Sequence, residues 1–156
     1  MKNSKKVDAM TLIKKFEGFS SEAYLDTANV PTIGYGNTRH LDGTRVVLGE
    51  KISKIDAEFL LMEYLNERVF FQVEVLQKTY GFCDKVFIAL SSFAYNLGSI
   101  LTKKSVMNAI KSNDLNMLEE AFLKYVKVKK DGVLTVSKGL VNRRKKEIEI
   151  FKEKTK

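Results

Sequence analysis

Glu17, Asp26 and Thr32 fall within FEGFSSEAYLDTANVPTIGYG, residues 16–36, where two acids and a threonine sit among aromatic residues, small residues and glycines. Two carboxyl groups facing each other can hydrolyse a glycosidic bond: one protonates the leaving oxygen and the other attacks or activates water. The two need unlike surroundings, so that one keeps its proton while the other stays charged. Glu17 suits the acid's task. It falls at the carboxyl end of a helical segment, where the backbone dipole opposes a negative charge, and Phe16 and Phe19 flank it. Asp26 suits the other task, on a strand or turn beside Thr27 and Asn29, where hydrogen bonds can hold it ionised. Thr32 offers a neutral hydroxyl to orient the water. Spacing alone leaves a plainer reading open, in which Glu17 pairs locally and Asp26 forms a turn.

The elements that must position these residues are legible in the pattern. Met10, Ile13 and Phe16, with Asp8 as N-cap and Gly18 as stop, predict a helix over residues 8–16. Between Ser20 and Val47, β-branched and aromatic residues broken by Asn29, Gly34, Gly36 and the Asp42-Gly43 turn predict an antiparallel sheet of two or three strands. Pro31 belongs at a strand start or edge. Ser53 then caps a long helix ending near Gly81, with Ile55, Phe59, Met62, Val69, Val73 and Leu76 as its apolar positions. Further helices are expected over residues 84–96, 105–111, 114–125 and from Lys138 onward, with a polar hairpin-like loop around Asp131-Gly132. The order predicts an α+β, mostly helical chain. A small N-terminal lobe (about 8–52) is joined by a linking helix (about 53–80) to a helical C-terminal lobe (about 81–153), with a binding groove between lobes.

Composition narrows the function. With 156 residues, one proline and no glycine- or serine-rich linker, the chain reads as a single folded unit over 1–156. A net charge of +8 calls for an anionic partner, and nucleic acid, an acidic membrane face and bacterial cell-wall material all qualify. Cys83 and His40 are the only residues of their kinds, so a Cys/His catalytic pair or a zinc site would use up every such residue. No intrachain disulfide can form, and Cys83 reads as a buried or half-buried packing residue. The N-terminus lacks the apolar run of a signal peptide, and no segment is apolar for long enough to span a bilayer.

The segments EG, AYLD and TIGYG together resemble the signature of the phage-type lysozymes, the muramidases of glycoside hydrolase family 24. In that family a glutamate is followed nine positions on by an aspartate and six further on by a threonine, as Glu17, Asp26 and Thr32 are here. ALSSFAYNLG resembles the family's central-helix segment and GLVNRRKKEIEIF its C-terminal one, so the likeness runs from about Ile13 to Phe151.

The resemblance implies a lysozyme-like fold and hydrolysis, with inversion, of the β-1,4 bond between N-acetylmuramic acid and N-acetylglucosamine in peptidoglycan. Glu17 would be the general acid and Asp26 with Thr32 would hold the water. For substrate binding it implies Tyr95 and Asn96 lining the groove and Arg143 approaching the catalytic glutamate, where plainer readings are a core aromatic at Tyr95 and a solvated helix face at Arg143; Gly34 and Gly36 let the backbone approach the glycan or merely permit a bulge. It implies no cofactor or metal, and a monomer acting on glycan strands without nucleic acid or stable membrane insertion. Such a protein waits in the host bacterial cytoplasm and reaches the periplasm through a separately encoded pore. Two residues depart from the pattern: Asn37 follows GYG where histidine is frequent, and Pro31 stands where an aromatic often precedes the TIG threonine. Competing readings are a lytic transglycosylase, which needs no water-holding pair, and a non-catalytic module binding wall glycans or nucleic acid.

Overall fold

The computed structural model describes residues 4–153, and its first helix, α1, spans Ser4–Glu17. It begins a turn earlier than the expected Asp8 cap, and Asp8 is an exposed residue inside it. The early turns are held by tertiary contacts that no local signal encodes. Lys5 Nζ donates to Gln77 Oε1 at 2.6 Å, and Lys6 pairs with Glu74 at 3.1 Å. The other end is as expected: Gly18, at φ +68°, donates its N–H to the Lys14 carbonyl and turns the chain away. Glu17 is therefore the last helical residue.

The chain then forms β1 (Ser20–Leu25) and β2 (Pro31–Gly34), an antiparallel pair in which Tyr24 lies opposite Thr32 and Leu25 opposite Pro31. Pro31 opens β2. The other pairings around them, Glu22 with Lys51, Ile33 with Asn37 and Arg39 with Arg45, are single bridges, so the sheet stops at two strands.

Ser53 caps the next helix, its Oγ accepting from Asp56 N–H at 3.1 Å. One helical run follows, α2 (Lys54–Leu65) and α3 (Phe71–Tyr80) joined by a wide π-helical turn at Asn66–Phe70, and it ends on left-handed Gly81. Its buried residues are Ala57, Leu60, Leu61, Leu65, Val69, Phe70, Val73 and Leu76. The expected inner positions Ile55 and Phe59 are instead 80% and 58% exposed. Ala57 is the residue that meets β2, and residues two positions away on an α-helix point about 200° round from it, into solvent.

In the helical lobe α4 (Asp84–Leu97) is central, packed between α1 and α7 (Lys138–Lys152) and burying Val86, Phe87, Ala89, Leu90 and the run Ser91–Ala94. Around it lie α5 (Lys104–Ser112) and α6 (Leu115–Leu123). Phe93 of α4 stacks on Phe122 of α6 at 4.4 Å. The Asp131-Gly132 loop is a true hairpin of β3 (Lys127–Lys130) and β4 (Val133–Val136). Cys83 is exposed just before α4, not packed as expected, because the helix turns inward only at Val86. The whole is α+β and mostly helical. No helix among the described residues is long and apolar enough to cross a membrane.

Candidate active site

Glu17 leaves the end of α1 with its side chain 23% exposed and one oxygen already committed. Arg143 of α7 donates from Nη1 to Glu17 Oε1 at 2.7 Å. Its Nη2 reaches the Ser92 carbonyl and hydroxyl at 3.1 and 3.3 Å, its Nε lies 3.4 Å from Glu147 Oε1, and its guanidinium lies over the Phe16 ring. Glu147 is fully buried and accepts from Ser92 Oγ at 2.7 Å and Arg144 Nη2 at 3.2 Å. Arg144, also fully buried, donates to Asn96 Oδ1 at 2.7 Å and lies over Phe93.

The result is a chain of contacts Glu17–Arg143–Glu147–Arg144–Asn96 in which two arginines balance two glutamates. Burial pushes the Glu147 carboxyl up, and the Arg144 guanidinium, the Ser92 hydroxyl and Arg143 pull against it. Burial likewise pulls Arg144 down, opposed by Glu147. Removing either partner would leave the other buried and unpaired.

The second oxygen of Glu17 faces Gly36. A Cβ added there would lie 2.9 Å from Glu17 Oε2 and 3.4 Å from the Tyr95 hydroxyl. With φ at +86°, Gly36 is both a conformational and a steric necessity. Tyr95 donates its hydroxyl to the Tyr35 carbonyl at 2.6 Å. Burial first, and the neighbouring Glu17 carboxylate second, push its phenol far above the usual range, so it stays a donor. Tyr64 meets the Tyr95 ring edge-on.

These groups open on a groove of about 480 Å³ lined by Glu17, Gly36, Asn37, Thr38, Arg39, Tyr64, Arg68, Tyr95 and Asn96. A second cavity, about 910 Å³, lies against Phe16, Thr27, Ala28, Asn96, Arg143 and the β3–β4 hairpin. Asn96 lines both, and the residues just before Glu17 and just after Asp26 lie in the second.

Asp26 follows β1. Its Oδ1 accepts from the N–H groups of Ala28 and Val30 at 2.8 and 2.9 Å. Thr32 is 3% exposed and donates its hydroxyl to the Val30 carbonyl at 2.9 Å. Paired residues share a face of the hairpin, so Tyr24 and Thr32 lie on one side of it. The Tyr24 phenol is raised by burial first and then by the charges of Glu17 and Asp26, which puts it within electrostatic reach of both carboxyls.

Of the other expected site residues, Gly36, Tyr95 and Asn96 line the Glu17 groove. Gly34, at φ +65°, approaches Ala57 of α2, whose Cβ would lie 3.1 Å from an added one, so its closeness serves packing. Arg143 touches Glu17 from behind the groove. Sequence reasoning missed Ser92, Arg144 and Glu147, although the i,i+4 spacing of Arg143 and Glu147 was a visible signal. Asn37, in the frequent histidine position, is buried with its Oδ1 unpartnered.

Residues 14–147 match the sequence model of a family described as phage lysozyme. The chain belongs to the phage lysozyme family. The solved endolysin of Escherichia coli O157:H7 phage FAHEc1 superposes on it with a TM-score of 0.81 and 34% identity, over 94% of this chain and 91% of that one. The endolysin of Acyrthosiphon pisum secondary endosymbiont phage 1 is 29% identical over 150 residues, covering 91% of this chain and 93% of its own. That of Salmonella phage P22 is 28% identical over 150 residues, covering 92% and 94%. As a phage lysozyme the chain is a peptidoglycan-hydrolysing enzyme, and the matched span contains Glu17, Asp26, Thr32, Arg143 and Glu147.

Proposed function

We propose that the chain is an endolysin that hydrolyses the β-1,4 bond between N-acetylmuramic acid and N-acetylglucosamine, with Glu17 as general acid and Asp26 and Thr32 positioning water. The observation that carries this reading is the division of the two Glu17 oxygens. Arg143 fixes Oε1, and Oε2 is left beside Gly36 at the groove. In the step proposed, Glu17 Oε2 gives its proton to the glycosidic oxygen as the C–O bond breaks. Water attacks the anomeric carbon from the opposite face and loses a proton to Asp26.

Asp26 has one oxygen engaged by two backbone N–H groups, leaving Oδ2 as the acceptor. Thr32 gives its own hydroxyl proton to Val30, so toward water it acts as an acceptor. Asp26 takes one water proton, Thr32 accepts a hydrogen bond from the other O–H, and an oxygen lone pair is left for the sugar. Arrival of water from the far face makes the reaction inverting. The enzyme works on the periplasmic side of the host wall as a monomer, needs no cofactor, and leaves the cytoplasm through a separate membrane pore.

The test is Glu17→Gln in a turbidity assay on permeabilised Gram-negative cells, with mass spectrometry of the products. Clearing should fall by at least about a hundredfold while circular dichroism shows the fold retained, and wild-type products should carry a hydrated reducing end, which proton NMR at early times should show as the α-anomer. Full clearing by the variant, or an anhydro sugar from the wild type, would sink the assignment.

A further inference from the structure

Residues 127–138, KVKKDGVLTVSK, put four lysines and one aspartate into the β3–β4 hairpin and its exit into α7, a net charge of +3 against +8 for the whole chain. None of those lysines meets a carboxylate among the described residues. Apolar side chains alternate with them. Lys127 lies opposite Val136, Lys129 opposite Leu134 and Lys130 opposite Val133, so each face of the ribbon carries lysine beside aliphatic side chains. Val133 and Leu134, next to the Asp131-Gly132 turn, are 64% and 66% exposed. Val128, Thr135 and Val136 line the second cavity, but these two do not, and they are left to solvent. The base of the hairpin is firm. Ser137 donates its N–H to the Val126 carbonyl at 2.8 Å, and its Oγ caps α7 by accepting from Leu140 N–H at 3.3 Å.

A soluble polyanion would satisfy the lysines and leave Val133 and Leu134 in water. Nucleic acid favours aromatic faces and guanidinium groups, and residues 127–138 contain neither. An anionic bilayer satisfies both halves. Aliphatic side chains enter the boundary between headgroups and acyl chains, while lysine stems lie along them and carry their ammonium groups to phosphate. We propose that the tip of the β3–β4 hairpin docks the enzyme on an anionic phospholipid surface, with Val133 and Leu134 inserted and Lys127, Lys129 and Lys130 on the headgroups. The contact is peripheral and reversible, since strands of 4 residues are far too short to span a bilayer. It goes beyond the glycan-cleaving reading and does not depend on it.

Vesicles of equal parts phosphatidylglycerol and phosphatidylethanolamine, with phosphatidylcholine vesicles as the neutral control, test this by co-sedimentation. Wild type should bind the first and not the second. Val133→Ser/Leu134→Ser should weaken that binding at least about tenfold through lost apolar burial, and should leave binding to heparin, a soluble polyanion, within about twofold. Lys129→Gln/Lys130→Gln should weaken vesicle binding at least about tenfold. The same charge change on exposed lysines of α3 and α5, Lys78→Gln/Lys111→Gln, should cost less than about threefold. Circular dichroism checks that each variant keeps the fold. The chain has no tryptophan, so Leu134→Trp is a single reporter: its emission should move to shorter wavelength on the anionic vesicles, and that of Lys78→Trp should not. No binding to anionic vesicles, equal binding to both kinds, a tip variant that binds like wild type, or an unmoved Leu134→Trp emission overturns the docking surface. So does a dimer in the absence of lipid that Val133→Ser/Leu134→Ser dissociates, since a second copy would then cover the tip. None of these readouts requires cleavage, and failure of the hydrolase reading would leave them standing.

Discussion

Arg143 and Glu17 lie 126 positions apart in sequence and 2.7 Å apart in space, and this one contact joins the end of α1 to the buried face of α7. Arg143 lines the second cavity and not the Glu17 groove, and its direct contact with the expected acid is the hydrogen bond to Glu17 Oε1. Replacing it by Gln should lower kcat about ten- to a hundredfold with KM little changed, and cost about 3–5 kcal/mol by stranding buried charge. Steady-state kinetics with chemical denaturation measures both. A variant that changes only KM would show Arg143 acting on substrate instead.

Gly36 and Gly43 share φ +86° but not surroundings: a Cβ on Gly36 meets Glu17 Oε2 at 2.9 Å, and one on Gly43 meets nothing within 4 Å. Alanine at either position should cost about 1–2 kcal/mol for the left-handed backbone. Gly36→Ala alone should also lose activity, by about a hundredfold for a displaced carboxyl. Equal activity in the two variants would remove Gly36 from the site.

Ser92 and Glu147 share a 2.7 Å hydrogen bond inside the lobe, and both also contact Arg143. Removal of either should loosen the same arginine. Ser92→Ala and Glu147→Gln should therefore be non-additive in unfolding free energy by about 1 kcal/mol or more. Additive losses in a double-mutant cycle would mean the network is a set of separate bonds.

Lys14 and Glu58 tie α1 to α2 across 2.6 Å. The hydrogen bond from Lys14 is the main cause holding the Glu58 carboxyl below its ordinary 4.5, and its counterpart holds Lys14 above 10.5. A lowered acid stabilises above its unfolded value and loses that contribution as pH falls through the folded one. A raised lysine stabilises below 10.5 and loses it as pH rises. The Tm difference between wild type and Glu58→Gln should be small, largest between about pH 4.5 and 10.5, and should close on either side. Melting curves across pH test this. A difference that persists at pH 2 would assign the effect to packing.

Local chemistry made much of the fold readable. Ser53 acts through its own side chain on the next turn, and Gly18, Gly81 and the Asp131-Gly132 turn through their own backbone, so their positions in sequence are their positions in structure. The misreadings at Ile55 and Phe59 share a cause. Helical periodicity reveals that a face is apolar, but which side of a linking helix is covered depends on what packs against it, and here that partner is Gly34. At the site, the Glu17–Asp26–Thr32 interval was visible because all three lie in one short stretch. Arg144 and Glu147 looked like one more charged helix turn, since burial is not written in the residue types.

By itself the sequence determined the caps, the turns, the order of elements and the presence of two acids and a hydroxyl at the spacing of the phage lysozymes. Those are properties of residues and near neighbours. Only the tertiary structure decided which oxygen of Glu17 is bound and which is free, because Arg143 and Gly36 come from opposite parts of the chain. It also decided that Arg143, Arg144 and Glu147 are buried together, since the charge of an ion in a protein is worth what its surroundings make it worth.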